Sequence, residues 1–178
     1  MEKQISWVLD PNHSELTFKV KHLMISNVKG AFKSFEASIL TEGNDFNDAV
    51  ALASIEVNSI STNSEDRDKH LLNDDFFDAG KFPGIEFKGT GLTRYDEENG
   101  QLKGSLTIKG VTKEVNFDVE FGGVSTDPWG NVKAGFALQG RINRSDFGLT
   151  WNANLETGGV LLSDEVKINA DLQFLKRA

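Results

Sequence analysis

An all-β chain, closed as an antiparallel barrel of about eight strands with one short helical insert covering an opening, is the fold that three features of this sequence predict. Apolar and polar residues alternate in three segments far apart in the chain, the spacing of strands with one dry face. Glycine is plentiful, 17 against 3 prolines, a balance that suits long strands and tight turns better than linkers. One stretch, "RDKHLLNDDFFDAGKFPGIEF" from Arg67 to Phe87, abandons the alternation and reads as helical turns.

In chain order, "SELTFKVKHL" sets Leu16, Phe18 and Val20 against Glu15, Thr17, Lys19 and Lys21. The same parity carries His22 to the inner face at the strand's end. Val28 to Leu40 is a weaker strand whose parity slips: Val28, Gly30 and Phe32 fit one register, Phe35, Ala37 and Ile39 the other. A bulge that bends the strand would produce this. Val50 to Ile60 reads as another strand. Thr62 followed by Glu65 has capping-box spacing and predicts a helix starting near Asn63 or Ser64. Leu72 and Phe76 then fall one turn apart, with Leu71 and Phe77 alongside, while Asp66, Arg67, Lys69 and Asp74 face water. Gly80 and Pro83 end the helix, and its apolar side is expected over a barrel opening.

Further strands are expected at Ile85 to Tyr95, Gln101 to Ile108 and Val132 to Ile142. The clearest alternation is "EVNFDVEFGG", with Val115, Phe117, Val119 and Phe121 on one face. The C-terminal "EVKINADLQFL" repeats it with Val166, Ile168, Ala170, Leu172 and Phe174. Asn99-Gly100 signals a two-residue hairpin turn, Lys109-Gly110 a second, and "TDPWGN" a third turn. About eight such strands close into a barrel with room for side chains or one small ligand, and closure removes exposed sheet edges. No composition shift marks a boundary, so residues 1–178 are expected to form a single domain.

The formal net charge of -8 argues against nucleic acid and against an anionic membrane surface as partners, since both repel such a chain. An apolar or cationic partner stays open. With no cysteine, disulfides, a thiolate zinc site and a thiol nucleophile are excluded. The opening "MEKQISWVLDPNHSELTF" has no apolar run between a basic start and a cleavage site. The expectation is therefore a native start and a cytoplasmic location, or a periplasmic one if a leader was removed. Nothing approaches the roughly 20 apolar residues of a membrane helix, so no stable membrane insertion is expected. A homodimer is one arrangement the sequence permits.

Several longer words in the chain, in order, carry a family resemblance. "WVLDPNHSELTFKVKHLMISNVKGAFKSFEASI", "SISTNSEDRDKHLLNDDFFDAGKFPGIEFKGTGL", "LKGSLTIKGVTKEVNFDV" and "INRSDFGL" closely resemble the YceI-like family of polyisoprenoid-binding, or lipid-binding, YceI domain proteins. The most specific elements are His13-Ser14, His22-Leu23, Gly30 with Phe32, Arg67-Asp68, His70-Leu71, Phe82-Pro83 with Phe87, Gly110 to Lys113, and Arg144 with Asp146 to Gly148. The resemblance implies a lipocalin-like barrel whose apolar channel takes an isoprenoid chain, such as a polyprenyl or quinone-type amphiphile. Many members reach the periplasm by a signal peptide, a pattern from which this chain departs. True lipocalins carry Gly-x-Trp near the first strand, whereas Trp7 follows Ile5 and Ser6, so common ancestry with them is not supported.

Phe18, Val20, Phe87, Leu106, Ile108, Phe117, Val119, Phe136, Leu138 and Ile168 are the candidate ligand wall. Together with Leu72, Phe76 and Phe77 of the lid they would either line an apolar tube or simply fill the core. His22 would hydrogen-bond a ligand head group, or else be a buried histidine tied to a carbonyl or carboxylate. Arg67, Asp68 and His70 would staple the lid to the rim, with Arg144 and Asp146 as partners. Alternatively, Arg67 or Arg144 would meet a phosphate or carbonyl head group through its planar donors. His13, His22 and His70 lie on separate segments without paired acidic ligands, so no metal is expected, and nothing calls for a cofactor. Adjacent His13 and Ser14 point to opposite faces and no Gly-x-Ser-x-Gly elbow exists, so serine hydrolysis is not expected.

The function expected is binding, not catalysis: a polyisoprenoid or quinone-like lipid held inside the barrel for transport, storage or sequestration. The alternative is an enzyme acting on a small apolar substrate in the same cavity, which needs a titratable pair converging inside. A third reading is a structural or stress-response domain with a filled core.

Overall fold

The computed structural model describes residues 4–42, 45–153 and 161–177. Its strands are β1 (Gln4–Leu9), β2 (Glu15–His22), β3 (Ser26–Phe32), β4 (Phe35–Glu42), β5 (Asp45–Glu56), β6 (Ile60–Ser61), β7 (Gly84–Arg94), β8 (Asn99–Ile108), β9 (Val111–Thr126), β10 (Val132–Asn143) and β11 (Leu162–Arg177), with helix α1 (Glu65–Leu72) between β6 and β7. Eight of the described strands form a closed antiparallel ring, β1-β4-β5-β7-β8-β9-β10-β11 and back to β1. The ring closes because β11 is long enough to serve two partners on one edge. Its C-terminal part pairs with β1, Leu9 opposite Phe174, and its N-terminal part with β2, Ile168 opposite Phe18.

Strands β2, β3 and β6 extend the wall beyond the ring. Among the described residues β3 pairs with β6 only at Ala31 and Phe32, which leaves its edge along Ser26 to Gly30 open. The parity slip foreseen between Phe32 and Phe35 is real, but it is a strand break rather than a bulge. β3 lies on β2 and β6, while β4 lies on β1 and β5. Opposite the break, Val57 to Ser59 form a 3-10 turn, and Lys33 N–H donates to the Ser59 carbonyl at 3.1 Å. Both chains bend together, and β1, which the alternation did not single out, fills the gap.

The hairpin at Asn99-Gly100 forms, with a different turn. Both residues already belong to β8, Gly100 opposite Arg94. The turn is Tyr95 to Glu98, held by the Asp96 carboxylate, which accepts from the backbone of Glu98 (2.8 Å) and Asn99 (2.7 Å). Lys109-Gly110 is the expected two-residue turn, Ile108 pairing with Val111 and both turn residues left-handed, φ 53° and 77°.

The helical insert is shorter than expected. Ser64, not Thr62, caps α1, accepting from Arg67 N–H at 3.3 Å. The helix stops at Leu72 because the Asn73 side chain accepts from Asp75 N–H at 2.9 Å, an Asx turn that competes with continuation. The carbonyls of Leu71 and Leu72 are then taken by Phe77 N–H (3.0 Å) and Ala79 N–H (2.9 Å). Leu72 and Phe76 therefore do not share a helical face. No residue within α1 is buried. The apolar cover comes largely from the turn behind it, where Phe76 and Ala79 are buried.

Two packed clusters occupy opposite ends of the barrel. At one end Ile5, Trp7, Leu9, Ile39, Phe46, Ala134 and Phe174 pack together. At the other Val57, Phe76, Ile85, Ile108, Phe147 and Leu149 pack beneath the insert.

Candidate functional site

Between these clusters the barrel is hollow. A cavity of about 430 Å³ runs inside it, within the usual range for a ligand pocket. Phe18, Val20, His22, Phe76, Phe77, Phe87, Leu106, Ile108, Phe117, Val119, Phe136, Leu138 and Ile168 all line it, as do Arg67 and Arg144. Leu72 does not. It is partly buried against the neighbouring apolar cluster, because the helix rotation that brings Leu71 and His70 to the cavity turns Leu72 away.

Inward-facing strand residues divide by depth. Around the hollow, Phe18, Val20, Phe32, Phe35, Phe87, Leu138 and Ile168 are only half-buried although they point into the barrel. At the closed end the same parity gives full burial: Phe174 is 3% exposed and Trp7 1%. There the rings stack into a floor. Phe46 lies 5.2 Å from Trp7, 5.4 Å from Phe121 and 5.3 Å from Phe136, and Phe136 lies 5.9 Å from Phe174, centroid to centroid.

Inward glycines do not create the hollow directly; they let aromatic rings lie flat on the wall. A Cβ on Gly30 would sit 2.3 Å from Phe18 Cζ, one on Gly104 2.6 Å from Phe87 Cζ, and one on Gly140 2.3 Å from Phe117 Cδ1. Each ring covers a missing side chain on the adjacent strand, so three phenylalanines hug the sheet instead of filling the axis.

Polar groups in the wall cluster towards the insert. Thr62, 3% exposed, is bound from two sides. Arg67 Nε donates to its hydroxyl at 2.8 Å and Arg67 Nη2 to its carbonyl at 2.5 Å, while Asp68 accepts from its N–H at 2.9 Å and its hydroxyl at 2.5 Å. Arg67 and Asp68, adjacent on the helix, thus staple α1 to β6 through a shared threonine. Arg67 Nη1 makes no hydrogen bond among the described residues.

Arg144 is not part of that staple, contrary to the sequence expectation, and neither is Asp146. Its guanidinium, 6% exposed, donates to the carbonyls of Ser163 (2.9 Å), Leu149 (2.7 Å), Trp151 (2.8 Å) and, at the limit of bonding distance, Leu162 (3.5 Å). Burial pulls the Arg144 pKa below the ordinary arginine value, and the nearby Asp164 charge opposes that. The arrangement ties the 149–151 loop to the start of β11.

His22 reaches the inner face as its parity requires, and no hydrogen-bond partner holds its ring among the described residues. The carbonyl or carboxylate partner considered for it is not found among the described residues. His70 also lines the cavity. Its Nε2 lies 2.9 Å from Asp75 Oδ2, and its ring packs edge-on against Phe76 (5.0 Å) and Trp151 (4.9 Å). Trp151 and Phe46 escaped the sequence reading. Trp151 sits in a loop where no periodicity points to it, and Phe46 begins β5 ahead of the stretch whose alternation was legible. His13, the third histidine, pairs with Asp10 at 2.9 Å on the surface. Among the described residues no group of three or more histidine or acidic side chains is placed to hold a metal.

The model of the YceI-like domain family matches residues 7–174. The chain belongs to the YceI-like family. Among its relatives is UPF0312 protein SA2479 of Staphylococcus aureus, 44% identical over 170 residues, spanning 95% of this chain and 96% of the relative. The crystal structure of the YCEI protein of Campylobacter jejuni is 36% identical, with a TM-score of 0.75 over 89% of this chain and 90% of that one. A polyisoprenoid binding domain from Saccharophagus degradans superimposes with a TM-score of 0.72 over 96% of this chain and 98% of that one at 16% identity, a likeness of fold. The closed eight-strand antiparallel barrel with a single described helix is thus the YceI fold.

Proposed function

We propose that this protein binds the hydrocarbon tail of a long amphiphile, of polyisoprenoid or quinone-like type, within the barrel, for transport, storage or sequestration. The observation that carries the reading is the half-exposed state of inward apolar residues around a hollow whose wall is almost wholly hydrocarbon. Water gains little there, whereas each methylene leaving water contributes about 0.8 kcal/mol. Ten carbons therefore supply about 8 kcal/mol, inside the roughly 4–15 kcal/mol that association costs, so affinity should climb steeply with tail length. The Saccharophagus degradans domain, described as polyisoprenoid binding, supports the same ligand class.

Polar groups at the insert side give the ligand a direction. Among the described residues the His22 ring and Arg67 Nη1 have no hydrogen-bond partner, and both residues line the cavity, so the head group lies towards them and the tail points at the Phe46, Phe136 and Phe174 floor. Binding is favoured over acid-base chemistry because no carboxylate or lysine lines the cavity among the described residues. His22 and His70 thus have no acidic partner facing the ligand space, Asp75 holding His70 from outside it.

Mass spectrometry of an organic extract of the purified protein tests the proposal. An amphiphile of ten or more tail carbons, present near one per barrel, is expected. An empty extract, together with no saturable uptake of a polyprenyl or quinone probe, would overturn it.

A further inference from the structure

We infer that the β2–β3 hairpin is a docking element for an anionic lipid bilayer surface. Its tip, Leu23, Met24 and Ile25, carries three consecutive apolar side chains that are 38%, 56% and 84% exposed. Leu23 and Met24 are both left-handed, φ 56° and 62°, a conformation that favours Asn or Gly and strains larger residues. This chain does use glycine for the comparable turn at Lys109-Gly110. At the β2–β3 tip it keeps bulky hydrocarbon in strained backbone and presents much of it to solvent.

The charges beside the tip say what it meets. Strand register sets Arg141, Lys167, Lys19 and Lys29 directly opposite one another across β10, β11, β2 and β3. Like charges facing each other across strands are destabilising. Arg141 is relieved by Glu165 at 3.6 Å, but Lys19, Lys29 and Lys167 have no ion pair among the described residues. Lys21 stands exposed one step nearer the tip on β2. Two carboxylates of β11 lie nearer the tip, but Glu165 is taken by Arg141 and Asp164 accepts from the Ser145 N–H (2.9 Å) and hydroxyl (2.8 Å); the next acids on these strands, Glu15 opposite Asp171, lie four residues further from the tip. A chain of net charge -8 thus concentrates cations in one row next to its exposed apolar tip. The average charge argues against an anionic surface, but screening limits repulsion from distant acids to about 8 Å at physiological salt, so the local row decides.

This geometry is that of a peripheral anchor: hydrocarbon enters the acyl boundary while lysines meet the phosphates. The hairpin base carries His22 and Val28, both in the cavity wall, and the open edge of β3 runs between tip and insert. Docking would set that edge against the bilayer. The inference stands on surface residues alone and does not require the cavity to be filled.

Sedimentation of the full chain with vesicles tests it. Binding is expected to phosphatidylcholine vesicles containing phosphatidylglycerol, weakening with salt and weak on phosphatidylcholine alone. The double variant Met24→Ser/Ile25→Ser should bind at least about 10-fold less, and Lys19→Gln/Lys29→Gln/Lys167→Gln roughly 100-fold less. Because the lysine change also relieves repulsion, its melting temperature should stay level or rise, a readout that separates docking from a structural role. Trp129→Ser, removing the 82% exposed tryptophan of the β9–β10 turn at the other end of the barrel, should bind as the parent does. No vesicle binding by the parent chain, or binding by both the tip and the lysine variants equal to the parent's, would overturn the inference. So would loss of binding in Trp129→Ser alone, or a bound soluble protein with no affinity for vesicles.

Discussion

The two ends of the barrel are built from the same alternating strands and reach opposite outcomes. At the closed end, Trp7, Phe46, Phe121, Phe136 and Phe174 point inward and fill the axis with interlocking rings. Under the insert, Phe18, Phe87 and Phe117 also point inward, yet each lies over a glycine of the adjacent strand and leaves the axis free. Ring count does not separate the two; what faces each ring does. The three rings that pack over glycines lie along the wall, and the rings that interlock with one another form the floor.

The floor should bear the stability of the molecule, and Trp7→Ala should have the largest effect. The indole is 1% exposed and its Nε1 donates to the Thr41 hydroxyl at 3.3 Å. Its loss should remove about 3–5 kcal/mol, read as an earlier midpoint in urea, while the ligand content of the remaining folded protein stays the same. A large loss of ligand at unchanged stability would break the comparison, because Trp7, which does not line the cavity, would then shape the binding surface rather than hold the fold.

Next is Arg144→Lys, at the other end. A lysine keeps the charge but cannot reach the carbonyls of Leu149, Trp151 and Ser163 together. Buried carbonyls left without donors should cost about 2–4 kcal/mol. Since the same arginine lines the cavity, a stability loss with ligand affinity retained would mark it as scaffold, and the reverse would mark it as a head-group contact.

These cases show what could be seen in the sequence. Alternation is a local signal, so the inward faces of β2, β9 and β11 were legible residue by residue. The partner of each strand is not local. The break between Phe32 and Phe35 looked like a bulge because parity records a slip but not the change of neighbours from β2 to β1. The helix was overextended for a related reason. Leu72 and Phe76 have helical spacing, but the Asn73 side chain captures Asp75 N–H and ends the helix between them. Arg144 lay within a family motif, yet two of its carbonyl partners, Leu149 and Trp151, belong to irregular backbone, and the other two, Leu162 and Ser163, open β11 ahead of the alternation that was legible.

The insert can be tested against that correction. Leu71 and Phe77 face the cavity, whereas Leu72, three atoms of backbone away from Leu71, does not. Leu71→Ser/Phe77→Ser should speed release of a bound polyprenyl or quinone probe about 10-fold or more, and Leu72→Ser should change it less than about 3-fold, each apolar side chain withdrawn from the ligand being worth roughly 1.5–3 kcal/mol at most. Stopped-flow displacement reads both. Equal effects would mean that the insert acts as one hydrophobic mass rather than through the two side chains that look inward.

The smallest effect expected is on acid stability, and it belongs to the closed end. Asp10 is held below its ordinary 3.8, mainly by the hydrogen bond with His13, with the Asn12 N–H and the charges of His13 and Lys133 adding to it against burial. For Asp127 burial pushes upward, but hydrogen bonds from Asn131 and Trp129 and the Lys133 charge outweigh it. Lys133 Nζ lies 3.7 Å from Asp10 and 3.6 Å from Asp127, so it joins the end of β1 to the β9–β10 turn. A carboxyl depressed on folding stabilises the native state fully above its unfolded pKa. That contribution is lost as pH falls from about 3.8 through the lower folded value. Asp10→Asn should therefore lower stability at neutral pH by less than about 1 kcal/mol after solvent screening and flatten the decline below pH 4. Hydrogen exchange at acid pH should show β1 and the 127–131 turn opening before the Arg144 clamp, which no carboxylate hydrogen-bonds. If the clamp opened first, the aromatic floor, rather than the ion cluster above it, would be what holds that end shut in acid.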